Sequence, residues 1–548
     1  MPGIALLVAC TLGVVDARAQ DDVRRALQEQ IERLMFEQDF AVEGVRIISG
    51  DMLPALYADR EYRPLWPSRE RILDLESAVA LAYSEGLDRD DYPLDRVLAL
   101  LPAEGLPANP RDRAKLDILA TETFVRVGYQ LRFGKVNPNG MFPNWNFRRE
   151  LSDGQTRNQT IESAVAAPTF EAFFQGWLVR GPLYAHLKDA LARYREIETA
   201  GGWDSVPAGA TLREGDTDPR VVDLRKRLRV EGDLGEAEPL DNPQLDAGVK
   251  AAVVRFQDRH GLDSDGVVGQ QSYVALNVPI RKRIDQLRAS LERGRWIFDE
   301  LRASHGGAIV LVNIASAEVG VLSNGRALLR LRAQVGKAYR QTPVFKGDIQ
   351  YLVVNPDWTV PPGILSKDVL PKLKANADAY LTQKNMVLLD REGNPVDHTA
   401  VDWASIGARG FPYIVRQRPG PWNALGQVKF IFPNPHFVFL HDTPSRELFD
   451  RSARAFSSGC IRVEEPFRLA ELVLADPRWD QAALMEVLAT RKLRTIHLAR
   501  PMPVFVLYWT GMAEADGTVR FFADIYGRDD KLIEALDADP VMDMARQD

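Results

Sequence analysis

At 548 residues the chain is too long for one ordinary domain, and dividing by roughly 150 residues per domain suggests about three or four units. Its apolar share of 45% is ample for packed cores. With 69 basic against 76 acidic side chains and a net charge of −7, it has no basic footprint for nucleic acid.

The run from Ile4 to Val15 is apolar but too short to span a bilayer, and Ala17-Arg18-Ala19 follows as a small-x-small cleavage pattern before Gln20. Residues 1–19 therefore read as an export signal, without the usual basic start. Two alternatives stand beside cleavage after Ala19: lipidation at Cys10 within Leu7-Val8-Ala9-Cys10, and an uncleaved anchor. Beyond Gln20 no stretch approaches the ~20 apolar residues of a membrane helix, so no membrane span is expected in the mature body.

From 21 to 201 the pattern is mostly helical. The runs Val23 to Phe36, Arg71 to Glu85, Arg113 to Phe133 and Phe170 to Ile197 carry apolar residues at three-to-four spacing. Tyr62-Arg63-Pro64-Leu65-Trp66 and Gly134-Lys135-Val136-Asn137-Pro138 interrupt them, and the plain reading of these clusters is inter-helix packing. A compact unit spans 211–278: Val221, Leu224 and Leu228 share one helical face, Val249, Val253 and Phe256 another, and Asp265-Gly266-Val267-Val268-Gly269 makes a sharp turn. Over 281–303 a connecting helix is expected, with Ile284, Leu287, Leu291 and Ile297 buried and its many arginines solvated.

From Ala308 the period shortens to β-rich runs: Ile309 to Ile314, Val319 to Leu322, Leu328 to Val335, Gln350 to Asn355, Val428 to Phe432 and Phe437 to Leu440. A partly helical insert over 366–420 is too long for a plain hairpin loop and is placed as a lid beside an active site. Helix returns at Pro466 to Leu474 and Ala483 to Thr490, and Val504 to Tyr508 and Val519 to Ile525 are expected to complete the sheet. The fold class is a multidomain α+β protein: a helical scaffold, a small three-helix domain and a mainly-β domain over 308–535 bearing the lid.

The chemistry concentrates at Ser457-Ser458-Gly459-Cys460-Ile461-Arg462-Val463, with Leu440-His441-Asp442-Thr443-Pro444 just before it. Only two cysteines exist, and if Cys10 leaves with the signal the exported chain keeps one thiol in a compartment where thiols usually oxidise. A free thiol near pKa ~8.5 is little ionised at neutral pH and needs a base. His441 is the best of the seven histidines, because it ends a β-like run close enough to Cys460 for two adjacent strands. Gly459 would let a carbonyl approach the backbone beside the sulfur, where amides stabilise an oxyanion. Ser458 would orient the imidazole or line that hole, and Arg462 would keep the site electropositive or hold a carboxylate. The dull rivals are turn chemistry for Ser458, a cap with Asp442 for His441, and an ion pair to Glu464 or Glu465 for Arg462.

Phe256-Gln257, Gly261-Leu262 and the Asp265 turn resemble the peptidoglycan-binding domain type 1. Gln334-Val335-Gly336-Lys337 with Thr342-Pro343, Asn355-Pro356-Asp357-Trp358, Asn423-Ala424-Leu425-Gly426 and the His441 and Cys460 motifs appear in the order of L,D-transpeptidase (YkuD-type) catalytic domains. From about 40 to 535 the chain resembles the long, lid-bearing Gram-negative form. Shorter members commonly have His where Ser458 stands, so His441 is the sole imidazole of the matched motifs.

This resemblance implies a periplasmic enzyme without cofactor or metal, using peptidoglycan tetrapeptide stems as donor and acceptor, working with penicillin-binding-protein synthases and acylated by carbapenems. It further implies a cysteine thioester, release of terminal D-alanine and cross-links between third-position residues. Tyr339, Trp358, Trp422 and Asn423 are the candidate substrate-cleft residues. Competing readings are an L,D-carboxypeptidase, a protein-to-peptidoglycan anchoring enzyme, an inactive wall-binding scaffold and a cysteine peptidase of unrelated fold.

Overall fold

The computed structural model describes residues 3–37, 39–142, 145–147, 157–297, 300, 304, 307–324 and 326–542, with backbone alone for 3–17 and 157. The export-signal reading of 1–19 thus lies almost wholly outside the described side chains; its backbone begins helix α1 (Gly3–Phe36). Among the described residues no helix is long and apolar enough to cross a membrane.

The first region is helical, as its periodicity requires. Helix α2 (Pro110–Phe133) is buried along most of its length. Trp66 fills its flank, donating Nε1–H to Thr121 (2.9 Å), while the Leu65 amide donates to Asp117 (3.0 Å). The Tyr62–Trp66 interruption is therefore inter-helix packing, with its buried amides satisfied by a buried carboxylate. The single run expected over 170–197 is instead two helices, Phe170–Phe174 and α3 (Pro182–Thr199). Gly181-Pro182 restarts the chain, proline being suited to the first helical turn.

Helices α4 (Arg220–Val230), α5 (Ala247–Arg259) and α6 (Gln270–Leu276) enclose Val221, Leu224, Leu228, Val249, Val253 and Phe256. The Phe-Gln pair is structural here. Phe256 lies in this core, and Gln257 clamps the following turn, accepting from the Gly266 amide (2.8 Å) and donating to the Val267 carbonyl (3.0 Å).

Helix α7 (Ile280–Trp296) overturns the solvated-arginine expectation: Arg283, Arg288, Arg293 and Arg295 are all buried. Segments remote in sequence cover both faces. Arg293 pairs with Asp529 (2.6 Å), Arg288 with Asp537 (2.9 Å) and Arg295 with Glu292 (2.6 Å). Spacing alone marks a charged stripe as surface; packing decided otherwise. The part of the 281–303 expectation at 298–299 and 301–303 lies outside the described residues.

Among the described residues nine strands form the main sheet: β1 (Ala308–Asn313), β2 (Glu318–Ser323), β3 (Arg326–Gly336), β4 (Phe345–Val354), β5 (Val428–Ile431), β6 (Leu440–His441), β7 (Ala455–Ser457), β8 (Ile461–Val463) and β9 (Arg494–Leu507). Their order is β7-β3-β8-β6-β5-β4-β9-β1-β2, and β2 also pairs with β3, so eight strands close a ring around an apolar core. Closure removes the open edges that would invite aggregation. Val519–Phe521 does not join this sheet, contrary to expectation; it forms a hairpin with Gly511–Ala513 that packs on α3 and α7. The expected strand from Phe437 begins only at Leu440, since Phe437 has a positive φ of 54°.

The insert has its own core of Val360, Leu365, Leu373, Leu381, Leu388 and Val415, under helix α8 (Leu370–Gln383). Its three-stranded sheet recruits Trp358–Thr359, ahead of the expected start at 366, between which and Met386–Leu389 lies Ile414–Gln417. The insert is thus a packing unit of its own beside the main sheet.

Candidate active site

Cross-strand register assembles the site. Strands β6 and β8 run parallel, with Leu440 opposite Ile461 and His441 opposite Arg462. On the other side of β6, Lys429 of β5 stands opposite His441; beyond β8, Gln334 of β3 stands opposite Arg462. Residues in register share a sheet face, so Lys429, His441, Arg462 and Gln334 form one row. Cys460 lies two positions before Arg462, at the mouth of β8.

The nucleophile loop is held by its own backbone and by three hydroxyls. Ser457 Oγ donates to the Cys460 carbonyl (2.5 Å) and accepts from the Gly459 amide (3.0 Å). Thr342 Oγ1 donates to the Gly459 carbonyl (2.8 Å) and accepts from the Gly336 amide (2.9 Å). Tyr526 donates to the Gly336 carbonyl (2.6 Å), tying the C-terminal region to the loop. Gly459 has a φ of 118°, a conformation that favours glycine. Its amide is engaged by Ser457 and so is not free to receive an oxyanion.

His441 is buried, and its Nδ1 meets the Asp442 carbonyl at 2.5 Å. A carbonyl only accepts, so Nδ1 carries the proton and Nε2 is left as the basic nitrogen. The Asp442 carboxylate is itself fixed by the Gln427 amide (2.9 Å) and Arg446 (3.1 Å). Gly426 sits against it at a φ of 62°, and a Cβ there would run into that carboxylate. The Asn-Ala-Leu-Gly motif is therefore a turn that supports the histidine strand.

The other expected residues fall as follows. Ser458 is exposed, and its hydroxyl accepts from Arg340 (2.8 Å); the imidazole is oriented by the Asp442 carbonyl instead. Asn423, expected in the cleft, is 1% exposed, and its amide group spans the Pro356 (3.1 Å) and Arg418 (3.0 Å) carbonyls and the Leu425 amide (2.8 Å). Every polar atom of that side chain is taken by the turn it braces. Tyr339 and Trp422 are 75% and 74% exposed, whereas Trp358 packs against the lid core. Arg462 pairs with neither Glu464 nor Glu465, which are held by Arg332 and Arg468. Its Nη1 donates to Gln334 (3.0 Å).

Three parts of the chain match known families: 51–191 the "Scaffold domain", 217–276 the "Putative peptidoglycan binding domain" and 307–495 the "L,D-transpeptidase catalytic domain". A curated Haemophilus influenzae protein named "Putative L,D-transpeptidase" is 40% identical over 225 residues, 41% of this chain and 45% of that one, so the match spans less than half of the relative. Among solved structures, an L,D-transpeptidase of Xylanimonas cellulosilytica is 17% identical, covering 55% of this chain and 99% of its own with a TM-score of 0.17. One from Stackebrandtia nassauensis is 13% identical over 55% and 96%, with a TM-score of 0.22. Superpositions this weak put no constraint on the geometry above.

The transpeptidase domain has an unusual charge pattern. Burial, with Arg462 and Lys429 beside it, pushes His441 down to about 3 against the pull of the Asp442 and Leu425 carbonyls. Burial pushes the Cys460 thiol up, partly offset by the Phe439 amide, Lys429 and Arg462. At neutral pH the pair therefore rests as thiol and neutral imidazole, not as an ion pair. Lys429 escaped the sequence reading because one lysine in an otherwise apolar strand reads as a solvent-facing position. Thr342 and Ser457 had weak signals, Thr-Pro after a strand and a serine before the motif, neither pointing to the loop they hold. Among the described residues no cluster of His, Cys, Asp and Glu would hold a metal ion.

Proposed function

We propose that the protein is a peptidoglycan L,D-transpeptidase acting outside the cytoplasm. The observation that carries this reading is the parallel register of His441 with Arg462 on the strand that follows Cys460, inside a region that matches the model of that family. Cys460 attacks the carbonyl of the third stem residue while its proton passes to His441 Nε2. The Cys460 amide receives the developing oxyanion. Collapse breaks the bond to the terminal D-alanine, whose amine takes the proton back from the imidazolium, leaving a thioester. The side-chain amine of a second stem then attacks the thioester, its proton goes through His441, and the sulfur departs as thiol. No external energy source is required, because the thioester conserves the cleaved amide's acyl activation.

The lid supports the choice of an amine over water. Arg340 links it to the nucleophile loop, pairing with Asp368 of the lid (2.7 Å) and donating to Ser458. A lid held there excludes water from the thioester. The peptidoglycan-binding region supports the same substrate, although its Phe256-Gln257 pair is engaged internally.

Mass analysis of products from purified tetrapeptide muropeptides tests the reading. Cross-linked dimers with release of D-alanine are expected from the wild type and none from Cys460→Ala. Tripeptides alone would make it an L,D-carboxypeptidase, and an adduct on a protein lysine an anchoring enzyme. Meropenem should add one covalent mass to the wild type and none to Cys460→Ala; an unmodified, folded wild type would remove the nucleophile assignment.

A further inference from the structure

The row across the sheet places a cation on each side of the catalytic imidazole, and neither has an anionic partner. Lys429 makes no ion pair or side-chain hydrogen bond among the described residues; its Nζ lies 3.8 Å from the centroid of the Phe439 ring. Arg462 is held only by Gln334, and its buried Nε has no partner. The carboxylates around the site are engaged elsewhere: Asp357 with Arg416 (3.5 Å), Asp442 with Arg446 (3.1 Å) and Glu464 with Arg332. Gln334 is also committed, since its amide donates to the Ser445 carbonyl (3.0 Å), which fixes its oxygen toward Arg462. Partly burying two like charges beside each other without a counter-ion is unfavourable, and an anion received between them would offset that cost.

Resting on the transpeptidase reading, we propose that Lys429, together with Arg462, binds a free carboxylate of the donor stem and so acts as a specificity-determining residue of the acylation step. Adjacent strands lie about 4.8 Å apart, so the Lys429 and Arg462 backbones are roughly 10 Å apart with His441 between them, a span two long side chains close over one carboxylate. The donor offers two such groups near the scissile carbonyl: the terminal carboxylate of the leaving residue and the free carboxylate on the third residue's side chain. Either is one residue or less from the carbonyl that Cys460 attacks.

Binding there also has a consequence for the proton transfer. The charged groups that act on His441 are Arg462 from β8 and Lys429 from β5, while the neighbouring Asp442 carboxylate is already paired with Arg446. With the two cations uncompensated, an imidazolium between them is disfavoured. A bound carboxylate offsets that field, so His441 accepts the thiol proton only once a donor is seated. The carboxylate is neither consumed nor protonated in this step: the S–H proton moves to Nε2, the S–C bond forms and the C–N bond breaks as before. Amine acceptors or water arriving without a donor would meet an unactivated thiol.

The test uses the full chain and three synthetic tetrapeptide donors: one with both carboxylates free, one with a C-terminal carboxamide, and one amidated on the third residue's side chain. Release of the fourth residue is followed for wild type, Lys429→Gln and Lys429→Arg. For one of the two amides, wild-type kcat/KM should fall on the order of 10- to 100-fold, as for loss of a charge-assisted hydrogen bond. Lys429→Gln should lose a similar factor on the acid donor and little further on that amide, while Lys429→Arg keeps most activity. Which amide is affected identifies the carboxylate. The ratio of rates on two donors does not depend on the fraction of variant that folds, so a merely structural role shows as equal loss on every donor and overturns the proposal. Wild type that turns over all three donors alike overturns it while leaving the transpeptidase reading intact. Wild type that releases nothing from any donor, although Cys460 alkylates, overturns both.

Discussion

Two groups of cations, one buried and one half-buried, are built on opposite plans in this protein. At the junction of the small helical unit with α3, Arg259 pairs with both Glu231 (2.8 Å) and Asp233 (2.5 Å), Arg227 pairs with Glu231 (2.5 Å), and Tyr194 donates to Glu231 (2.5 Å). Burial pushes Glu231 up, but Arg259, Arg227 and His260 outweigh it and hold the carboxyl well below its usual range. Around His441, Lys429 and Arg462 have no such acids. In the first group every cation named has an acid beside it, which ties one region to another; in the second neither cation has one. A buried charge is informative about function when its counter-ion is missing, because folding alone would have selected a partner or an apolar residue.

The largest expected effect tests the first group. Arg259→Met leaves two buried carboxylates short of their counter-charge and should cost about 3–5 kcal/mol, read as a lower urea midpoint. Lys429→Met removes a cation whose pKa burial already lowers, so its midpoint should stay level or rise. Equal losses from both would erase the distinction between the two groups.

A subtler probe is the pH profile of Cys460 alkylation by iodoacetamide. The thiol's pKa is raised, so the thiolate is scarce at pH 7 and the rate should climb through an inflection above the ordinary thiol range. Lys429 and Arg462 both lower that pKa, so Lys429→Gln should move the inflection further up. His441 stays neutral until about pH 3 and should add no step near 6.5. An inflection below pH 7 would indicate a resting thiolate–imidazolium pair and break the charge assignment.

The smallest effect concerns the lid. Arg340→Ala breaks one partly exposed ion pair to Asp368, so stability should change by less than ~1 kcal/mol and the hydrolysis-to-cross-linking ratio should rise by at most about 5-fold. A fall in that ratio would show that the contact holds the lid away from the acyl-enzyme.

Much of the architecture was legible because its signals are local. The β-rich runs after Ala308, the three helices around Val221 and Phe256, and the Ser-Gly-Cys motif each depend on residues close in sequence. The errors share one cause. The arginines of α7 have the spacing of a solvated face, yet Asp529 and Asp537, more than two hundred residues later, come back to pair with them. Val519–Phe521 has strand composition, but the hairpin it joins packs on helices and not in the main sheet. Asn423 stands in a polar motif, and its side chain is spent on two backbone groups of its own turn and on the carbonyl of Pro356, 67 residues earlier.

Residue identity and local spacing marked Cys460 and His441 as the candidate thiol and imidazole for acyl transfer, set in a β-rich region behind two helical ones. Tertiary structure decided what surrounds them. His441 meets Arg462 through β6–β8 register and Lys429 through β5–β6 register, and register depends on how whole strands align, not on any single residue's neighbours in the chain. Whether a charge ends up paired, solvated or waiting for a ligand depends in turn on which distant segments cover it, a property of packing that local periodicity does not encode.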